Sequence, residues 1–470
     1  MKFWKQKRIE RLITGFVVCG CLSLAITGCV GISEQEISET SAEQIPSETS
    51  VEQIPSEASA EHLASETSDE QKNSEASDEK KNVEKSIVQD AEVQPQPQQE
   101  IGLTTEDDST SVAEEMSSAN EQMVATDMEQ PGKVTLIMVG DMLLHDRVEE
   151  SAKKEAGGYD FSAIFAHTKD MISEADIAIA NEEVIIGGTE LGVSGYPAFN
   201  APFEFADELA ESGFDVICHG TNHALDKDGR GITSCLNYWE NYPEIQVLGI
   251  HDSAADQDRL TIMEQNGLKL AFLNYTYGTN GIALPGDMPF GVDYLLEEAV
   301  IEDLAEAEEI ADFTIVCPHW GTEYRLTPDS YQEKWTKIFV ENGADLILGT
   351  HPHVIEPVEW EEYHGNKALV YYSLGNFVNW TSGEGAGVSN RMVGLMAKVT
   401  LTKQSSGKVE IEDYDAIPLV CHVGSGFGNV TVYPLDAYSE DLASQNAIRT
   451  QAADFSYEYV RHLLDEVLGE

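Results

Sequence analysis

The chain has 470 residues, with 84 Asp and Glu against 28 Lys and Arg, which gives a formal net charge of −56. This balance argues against nucleic acid as a partner, because a chain without a basic stripe cannot neutralise phosphate groups. The same charge predicts repulsion from anionic lipid and from any polyanion.

The N-terminus has the pattern of an export signal. Basic residues near the start are followed by an uncharged apolar run from Leu12 to Ile26, which is too short to span a bilayer comfortably. The run ends in Ile26-Thr27-Gly28-Cys29, which resembles a bacterial lipobox. We therefore expect residues 1–28 to be a lipoprotein signal peptide and Cys29 to carry a lipid that anchors the chain on the extracellular face of the cell membrane. An ordinary signal peptide followed by an unmodified Cys is the alternative.

Residues 29–132 are predicted to form a disordered, acidic stalk. They are mostly Ser, Glu, Thr, Gln, Asp and Lys, and they contain no aromatic residue. A nine-residue unit begins at Ser38 and recurs in near copies that begin at Ser47, Ser56, Ser65 and Ser74. Because the unit offers only an occasional Ile, Val or Leu, it cannot build a core. Its predicted role is to carry the following domain away from the membrane.

Residues 133–470 are predicted to form one large α/β domain, since about 340 residues suffice for a sizeable core. Apolar runs predict buried strands at Lys133–Val139, Ile177–Ala180, Val216–Cys218, Phe313–Cys317 and Leu346–Leu348. Amphipathic patterns predict helices at Phe203–Glu211, Asp293–Ala311, Ser330–Asn342 and Phe455–Leu468. A hairpin is predicted around Asn266-Gly267, and Ala368–Tyr372 and Val393–Leu401 indicate a strand-rich later part. Cys218 and Cys317 end apolar runs, which indicates small buried residues rather than a disulfide framework.

Polar residues stand directly after the predicted strands. The segments are Gly140-Asp141, Asn181-Glu182-Glu183, His219-Gly220-Thr221-Asn222-His223, Pro318-His319-Trp320-Gly321 and Gly349-Thr350-His351-Pro352-His353. In an open α/β sheet the carboxyl ends of parallel strands line one crevice, so groups that are far apart in sequence can converge there. Carboxylate, amide oxygen and imidazole ligands without Cys suit Mn, Fe or Zn. The pattern therefore predicts a site for divalent metal ions.

These segments, in this order, resemble the motifs of the poly-γ-glutamate capsule-biosynthesis (CapA) family. The matching strings are Gly140-Asp141-Met142-Leu143, Asn181-Glu182-Glu183, Thr221-Asn222-His223-Ala224-Leu225-Asp226, His319-Trp320-Gly321-Thr322-Glu323-Tyr324, His351-Pro352-His353-Val354 and Tyr372-Ser373-Leu374-Gly375-Asn376-Phe377. The resemblance covers roughly Val134 to Val378. The family is similar to calcineurin-like metallophosphoesterases, so we expect a layered α/β/β/α domain in which two sheets are flanked by helices.

The resemblance implies roles for single residues in a site for two divalent ions. Asp141 is expected to bind the first ion and Glu183 to bridge the two ions. The remaining expected ligands are Asn222 and His319 on the second ion, with His351 and His353 contributing one to each ion. His223 is expected to donate a proton to a leaving group.

Four further residues are expected to support the site or to face the substrate. Glu323 and Tyr324 are expected to orient His319, and Asn376 to lie at a tight turn beside the crevice. Asp226 is expected either to support the site or to cap the helix that follows.

Two positions depart from the pattern of the resemblance. Leu143 stands where a phosphoesterase normally has a His, and the nearby His145 has the wrong spacing. Thr221 stands where an Asn is usual in the family. These departures leave open a weak first metal site or a catalytically reduced one.

The combined expectation is a cell-surface lipoprotein for biosynthesis or export of a capsule or of poly-γ-glutamate, with a metal-dependent hydrolase or phosphoesterase-like site. Its substrate would be an anionic polymer or a phosphate ester, and a membrane synthase complex is a candidate partner. One alternative is a non-catalytic surface component that holds the polymer or a synthase partner. The other is a general extracellular phosphoesterase.

Overall fold

The computed structural model describes residues 132–380, 383–385, 387–426 and 428–469. The predicted signal peptide, the lipid attachment at Cys29 and the stalk as far as residue 131 lie outside these residues. Within the described ranges, no helix is both long and apolar enough to cross a membrane.

Two β-sheets form the centre of the domain. The first contains β1 (Lys133–Met142), β2 (Ile177–Glu182), β3 (Val216–Cys218), β4 (Gln246–Leu248), β11 (Asn376–Val378), β12 (Val393–Lys403), β13 (Val409–His422) and β14 (Thr431–Pro434). Its order is β14-β13-β12-β1-β2-β3-β4, and β11 pairs with the end of β1. Strands β1 to β4 are parallel to one another, whereas β12, β13 and β14 continue the sheet with antiparallel pairing.

The second sheet has parallel strands in the middle and an antiparallel strand at each edge. It contains β5 (Thr261–Gln265), β6 (Leu268–Thr276), β7 (Phe313–His319), β8 (Leu346–Leu348), β9 (Val358–Tyr363) and β10 (Asn366–Tyr371), in the order β5-β6-β7-β8-β10-β9. Strands β5 and β6 form the hairpin that Asn266-Gly267 predicts.

The described helices lie between these strands and after them. They are α1 (Asp146–Ala152), α2 (Ser162–Phe165), α3 (Lys169–Ser173), α4 (Phe203–Ser212), α5 (Asp228–Trp239), α6 (Ala254–Gln257), α7 (Glu297–Ile310), α8 (Ser330–Glu341), α9 (Glu440–Gln445) and α10 (Tyr457–Leu468). Short 3₁₀ helices occur at Thr189–Leu191, Ser389–Met392, Leu435–Ala437 and Ala447–Thr450. Helix α8 begins where its sequence indicates, because Asp329 and Gln332 form a reciprocal capping box.

The central parallel strands are buried on both faces, and this makes the fold layered. On β6, Phe272 belongs to the large buried cluster that includes the first sheet, whereas the adjacent Leu273 packs with Val300 of α7 and Phe339 of α8. Neighbouring side chains on a strand point to opposite faces, so the second sheet lies between the first sheet and these two helices. Phe205 of α4 belongs to the cluster of the first sheet. The predicted α/β/β/α layering is therefore confirmed.

One predicted helix begins later than expected. The helical pattern starts at Asp293, but α7 begins at Glu297. Tyr294 instead forms a β-bridge with Thr276, and the Asp293 carboxylate lies 2.6 Å from Nε2 of His251. These pairings use the residues that would have formed the first turn of the helix.

The His251 side chain forms a buried ion pair with two carboxylates. Its Nδ1 atom lies 3.1 Å from Asp256 and its Nε2 atom lies 2.6 Å from Asp293. Burial acts to lower the pKa of His251, but the two carboxylates outweigh burial and raise the pKa to about 9. The folded protein therefore favours the protonated imidazole.

Four cysteines in the described residues are buried and free, namely Cys218, Cys235, Cys317 and Cys421. Their burial agrees with the prediction of small core residues.

Candidate metal centre

The ends of parallel strands from both sheets converge on one site. Asp141 lies near the end of β1 and Glu183 directly follows β2, so the first sheet supplies the carboxylates. The second sheet supplies His319 at the end of β7, with His351 and His353 shortly after β8. Asp141 and His353 are 212 residues apart, yet Oδ2 of Asp141 lies 3.0 Å from Nδ1 of His353. The polar side chains that follow the strands therefore converge in the fold, as the sequence predicts.

A close approach of two glycines positions Asp141. The register between β1 and β2 shifts around Gly140, and the Asp141 N–H donates to the carbonyl of Gly375 over 2.9 Å. A Cβ atom on Gly140 would lie 2.0 Å from that same carbonyl oxygen. Only glycine therefore allows β1 to carry Asp141 into this position.

Glu183 is shared by two groups of candidate ligands. It lies with Asp141 and His353 in one group, and with His319 and His351 in the other, with the ligand atoms of each group within 4.8 Å of one another. Oε1 of Glu183 is 3.7 Å from Nε2 of His319 and 3.7 Å from Nε2 of His353. These distances exceed hydrogen-bond length. Two ligand atoms that bind the same metal ion at about 2.1 Å lie roughly 3 to 3.5 Å apart, and the observed distances are close to this separation.

Several polar atoms in and beside these groups are buried without a hydrogen-bond partner among the described residues. They are both carboxylate oxygens of Glu183, Nδ1 of His351 and Oδ1 of Asn181. A buried polar atom left unpaired costs about 1–3 kcal/mol, so such a concentration requires an explanation. Divalent ions would satisfy these lone pairs, and the carboxylate and imidazole ligands suit Mn, Fe or Zn. The residues present therefore fit a metal centre.

The charges of the buried carboxylates and imidazoles stabilise one another. Burial would raise the pKa of Glu183, but the imidazoles of His353 and His319 hold that pKa below its ordinary value. Burial acts to lower the pKa of His353, and the carboxylates of Glu183 and Asp141 raise it to about 9. Burial and the neighbouring imidazoles lower the pKa of His351, so this side chain is neutral, which is the form of imidazole that binds metals.

Three non-glycine residues at the site have left-handed backbone conformations. The φ angles are 99° for His351, 58° for His353 and 67° for Tyr324. Such conformations cost about 1–3 kcal/mol each and are concentrated at functional sites. The His351 N–H lies 3.2 Å from both carboxylate oxygens of Asp141, which fixes the strained loop against β1.

In the second group (Glu183, His319 and His351), the residues that contact His319 differ from those expected. Nε2 of His319 lies 2.9 Å from Oδ1 of Asn222, as expected for two neighbouring ligands. Nδ1 of His319 is 3.0 Å from the Thr350 hydroxyl, so Thr350 orients this imidazole. The expectation that Glu323 and Tyr324 orient His319 is wrong.

The physical reason lies in the loop after β7. The Tyr324 N–H donates to the carbonyl of Pro352 over 2.7 Å, and this carries the Tyr324 ring to His353, with 6.0 Å between the ring centres. The Glu323 side chain is exposed. Tyr324 therefore lies beside the first ligand group rather than the second.

Two asparagines surround the first group. Oδ1 of Asn376 lies 3.2 Å from Nδ1 of His353, and Nδ2 of Asn376 donates to the His353 carbonyl over 3.1 Å. Nδ2 of Asn181 donates to Asp141 over 2.9 Å. Asn376 therefore contacts His353 through both polar atoms of its side chain. Asn181 belongs to a motif that the sequence indicates, but its own contact with Asp141 was not predicted.

His223 lies beside the shared carboxylate with one nitrogen already held. Its Nδ1 atom is 2.6 Å from Asp226, and the same carboxylate oxygen accepts from the Phe199 N–H over 2.7 Å. Its Nε2 atom lies 4.0 Å from Oε1 of Glu183. Asp226 therefore orients His223. It does not cap α5, where the N-cap residue Lys227 makes no side-chain capping bond.

The Thr221 hydroxyl connects two of these parts. It donates to the carbonyl of Glu183 over 2.8 Å and accepts from the His223 N–H over 3.2 Å. A hydroxyl at this position thus holds the shared carboxylate and the candidate proton donor in a fixed relation.

The departure at Leu143 has a structural counterpart. Leu143 is buried in the hydrophobic core and offers no ligand atom. The His145 ring packs against Phe199, with 5.1 Å between ring centres, and it belongs to neither three-residue ligand group. Burial first, and then the charge of His353, lower the pKa of His145 to about 4. His145 therefore lies near the first group as a neutral side chain.

Two more residues at the site were not predicted. Tyr277 follows β6, and its ring centre lies 4.6 Å from that of His351. Arg391 places its guanidinium carbon 3.7 Å from the centre of the Tyr324 ring. Tyr277 stands at a strand end like the predicted ligands, and this position was the available signal for it. Arg391 has no comparable signal, because it lies in a short 3₁₀ helix and not at the end of a strand.

Residues 135–381, more than half of the chain, match the model of a family described as bacterial capsule synthesis protein PGA_cap. The chain belongs to this family. Among curated relatives of this PGA_cap chain is the capsule biosynthesis protein CapA of Bacillus anthracis, 27% identical over 261 residues, which cover 53% of this chain and 61% of that protein. The PGA biosynthesis protein CapA of Bacillus subtilis (strain 168) is 30% identical over 212 residues, covering 44% and 52%. The match thus spans less than two thirds of either relative.

Solved structures that are similar to this PGA_cap chain include two nucleotidases. A NAD nucleotidase of Haemophilus influenzae has a TM-score of 0.38 at 14% identity, with 71% of this chain and 59% of that chain covered. A 5'-nucleotidase precursor of Thermus thermophilus has a TM-score of 0.37 at 13% identity, with 71% and 58% covered. Membership of the PGA_cap family rests on the family match alone.

Proposed function

We propose that this chain is a metal-dependent hydrolase that acts in capsule biosynthesis at the outer surface of the cell. Its substrate is a phosphate ester or an amide linkage of an anionic polymer such as poly-γ-glutamate. The observation that carries the proposal is the Glu183 carboxylate, which belongs to two groups of candidate ligands and whose two buried oxygens have no hydrogen-bond partner among the described residues. Such an arrangement suits a pair of divalent ions, each held by ligands from both sheets.

Each polar side chain of the site then has one task in the reaction. Asp141 and His353 would hold one ion, His319, His351 and Asn222 would hold the other, and Glu183 belongs to both candidate groups. Ions held there would supply positive charge where negative charge develops on oxygen in the transition state.

His223 is the residue proposed to move a proton. Its Nδ1 atom is held by Asp226 at 2.6 Å, which leaves Nε2 directed to the side of Glu183. In the protonated state, Nε2 can donate to the oxygen or nitrogen of the leaving group. Asp226 holds the imidazole ring in this orientation.

The charge of the chain also bears on the substrate. A net charge of −56 repels a polyanion over the surface as a whole. Divalent ions in the crevice would reverse the field locally, so an anionic substrate could bind there in spite of the net negative charge. Anchoring through Cys29 would hold this site near the outer face of the membrane, where a synthase complex could deliver the polymer.

The experiment that tests the proposal compares metal content with activity in the full chain purified in detergent. Wild type is expected to bind Mn, Fe or Zn and to cleave a phosphodiester or a γ-glutamyl oligomer. His319→Ala is expected to lose metal and activity together, because the second group loses a ligand. His223→Ala is expected to keep its metal and to lose roughly 10²–10⁴-fold in rate.

A matched control uses His167, an exposed imidazole that stacks on Tyr433 away from the site. His167→Ala should change neither metal content nor rate. Wild-type protein that carries no metal after incubation with excess Mn, Fe and Zn would overturn the proposal.

A second candidate function is a non-catalytic surface component that holds polymer or a synthase partner. The observation in its favour is Leu143, which leaves the first group without the usual His. This candidate predicts metal binding or polymer binding without turnover of either substrate class. Cleavage of phosphodiesters alone would instead indicate a general extracellular phosphoesterase.

A further inference from the structure

Arg391 lies beside the candidate metal centre, and no acidic side chain among the described residues forms an ion pair with it. It is part of the 3₁₀ helix Ser389–Met392, and its side chain is partly buried. Its Nε atom is buried and has no hydrogen-bond partner, and its guanidinium has no carboxylate within 4.0 Å among the residues that the structure describes. In a chain with three acidic residues for each basic one, a half-buried Arg with no acidic partner is unusual.

The backbone of Arg391 is fixed to the first ligand group. Its carbonyl accepts from Nδ2 of Asn376 over 2.9 Å. The same Asn376 lies 3.2 Å from Nδ1 of His353 through its Oδ1 atom. One asparagine side chain therefore ties the position of Arg391 to that of a proposed metal ligand.

The side chain of Arg391 is also held in place. Its guanidinium carbon lies over the Tyr324 ring at 3.7 Å from the ring centre, a cation–π arrangement. Tyr324 is itself constrained, because its φ is 67° and its N–H donates to the carbonyl of Pro352 over 2.7 Å. Pro352 stands between the candidate ligands His351 and His353 in the sequence. A strained residue that supports an unpaired cation beside the ligands is the kind of feature that functional sites retain.

We propose that Arg391, supported by Tyr324, binds an oxyanion of the substrate next to the bond that the metal centre cleaves. This inference rests on the proposed function. Both candidate substrates carry such a group, since a phosphate ester has phosphoryl oxygens and a γ-linked glutamate polymer has an α-carboxylate on each residue. The planar guanidinium can donate two parallel hydrogen bonds to either group, which fixes orientation as well as charge.

The test measures binding of two probes to the metal-loaded full chain by isothermal titration calorimetry. The probes are inorganic phosphate and an oligomer of γ-linked glutamate, with the fully amidated oligomer as the neutral reference. Arg391→Met is expected to weaken binding by roughly 10- to 100-fold, the loss that follows from removing a charged hydrogen-bonding partner. Arg391→Lys is expected to fall between wild type and Arg391→Met, because it keeps the charge and loses the planar fork.

The matched control is Arg325→Met. Arg325 is exposed, lies one residue after Tyr324 and lies within 3.5 Å of the Thr327 hydroxyl and the Pro328 carbonyl in its own loop. Arg325→Met removes the same charge from a nearby position. It should leave the affinities for phosphate and for the glutamate oligomer within about two-fold of wild type, as expected for a screened surface charge. An equal loss in both variants would mean a general field effect and would overturn the proposal.

The outcomes also separate the two substrate sources. A loss for phosphate alone indicates a phosphate ester, and a loss for the glutamate oligomer alone indicates the polymer carboxylate. Arg391→Met protein that retains wild-type metal content and wild-type affinity for both probes overturns the role of Arg391 and leaves the metal centre standing. If wild type takes up no metal, the proposed function fails, and the same titrations on metal-free protein decide whether Arg391 binds the oxyanion. Wild type that binds neither probe overturns the inference.

Discussion

Replacing Glu183 by Gln changes the shared carboxylate into an amide of nearly the same shape. The amide is neutral and presents one oxygen where the carboxylate presents two, and both oxygens are buried between the ligand groups. Both groups then lose their shared negative charge, and a single neutral oxygen cannot serve both ions. We expect metal content to fall to well below one ion per chain.

The size of the thermal effect follows from linkage. An ion present at 100 times its Kd stabilises the folded state by about 2.7 kcal/mol. Unfolding entropy of about 2.1 cal/mol/K per residue gives roughly 0.7 kcal/mol/K for a domain of about 340 residues, so each ion raises Tm by about 4 °C. Chelator should therefore lower the Tm of loaded wild type by about 8 °C for two ions, and that of Glu183→Gln by less than about 1 °C.

The adjacent Glu182 supplies the control. It is equally buried, and both of its carboxylate oxygens also lack partners among the described residues. Burial, and then the charge of Glu183, raise the pKa of Glu182, so the neutral acid is favoured and Gln is its close mimic. Glu182→Gln should keep both metal content and the chelator response. Two ions retained in Glu183→Gln, measured by inductively coupled plasma spectrometry, would refute the shared-carboxylate arrangement.

Three further perturbations address other parts of the chain. Cys29→Ser should release the protein from membranes or leave it unprocessed; a mature-sized variant that still fractionates with membranes would contradict the lipid anchor. The folded-state pKa of His251, about 9 against an ordinary 6.5, means that its ion pair stabilises fully below pH 6.5 and is lost as pH rises through 9. Denaturant unfolding should therefore show wild type losing about 3 kcal/mol over this range that His251→Gln does not lose. Gly140→Ala should cost at least about 1–3 kcal/mol and reduce metal content, since the new Cβ meets a backbone carbonyl. Gly286→Ala, which meets no atom within 4 Å, should change neither, and equal melting curves for the two variants would count against the close-approach argument.

The strands that carry the ligands are predictable because each is a continuous apolar run. The strands Val216–Cys218 and Leu346–Leu348 have the predicted bounds. Parallel strands buried on both faces are continuous apolar runs, so the first polar residue marks the end of the strand. The polar residues that follow such runs are therefore visible as candidates, and the two candidate ligand groups come from this set. By contrast, the 14-residue strand Val409–His422 was not predicted, because acidic residues fill much of its exposed half and its pairing with β12 defines it.

The residues around the ligands depend on how the two sheets stack. Thr350 contacts His319 across neighbouring strands, and Arg391 reaches the site from a loop that precedes β12. Neither position has a periodic pattern or a motif that distinguishes it from an ordinary Thr or Arg. Glu323 illustrates the reverse case, since it stands in a specific motif and its side chain is exposed. The motifs predicted the location of the candidate site. The packing of the two sheets determines which residues of each motif contact it.

Neither sheet alone carries all three members of either ligand group. The carboxylates come from the first sheet and the imidazoles from the second, and Asp141 and His353 close a separation of 212 residues. An ion bound here is therefore a non-covalent cross-link between two layers, in a domain whose four described cysteines form no disulfide. In the chain-entropy view, a disulfide that closes a loop of about 100 residues stabilises by about 4.7 kcal/mol, which is an upper bound for a reversible cross-link of that loop length. We expect the ions to bind after the sheets have docked and to slow their separation, so that metal supply where the chain folds would govern its resistance to proteolysis.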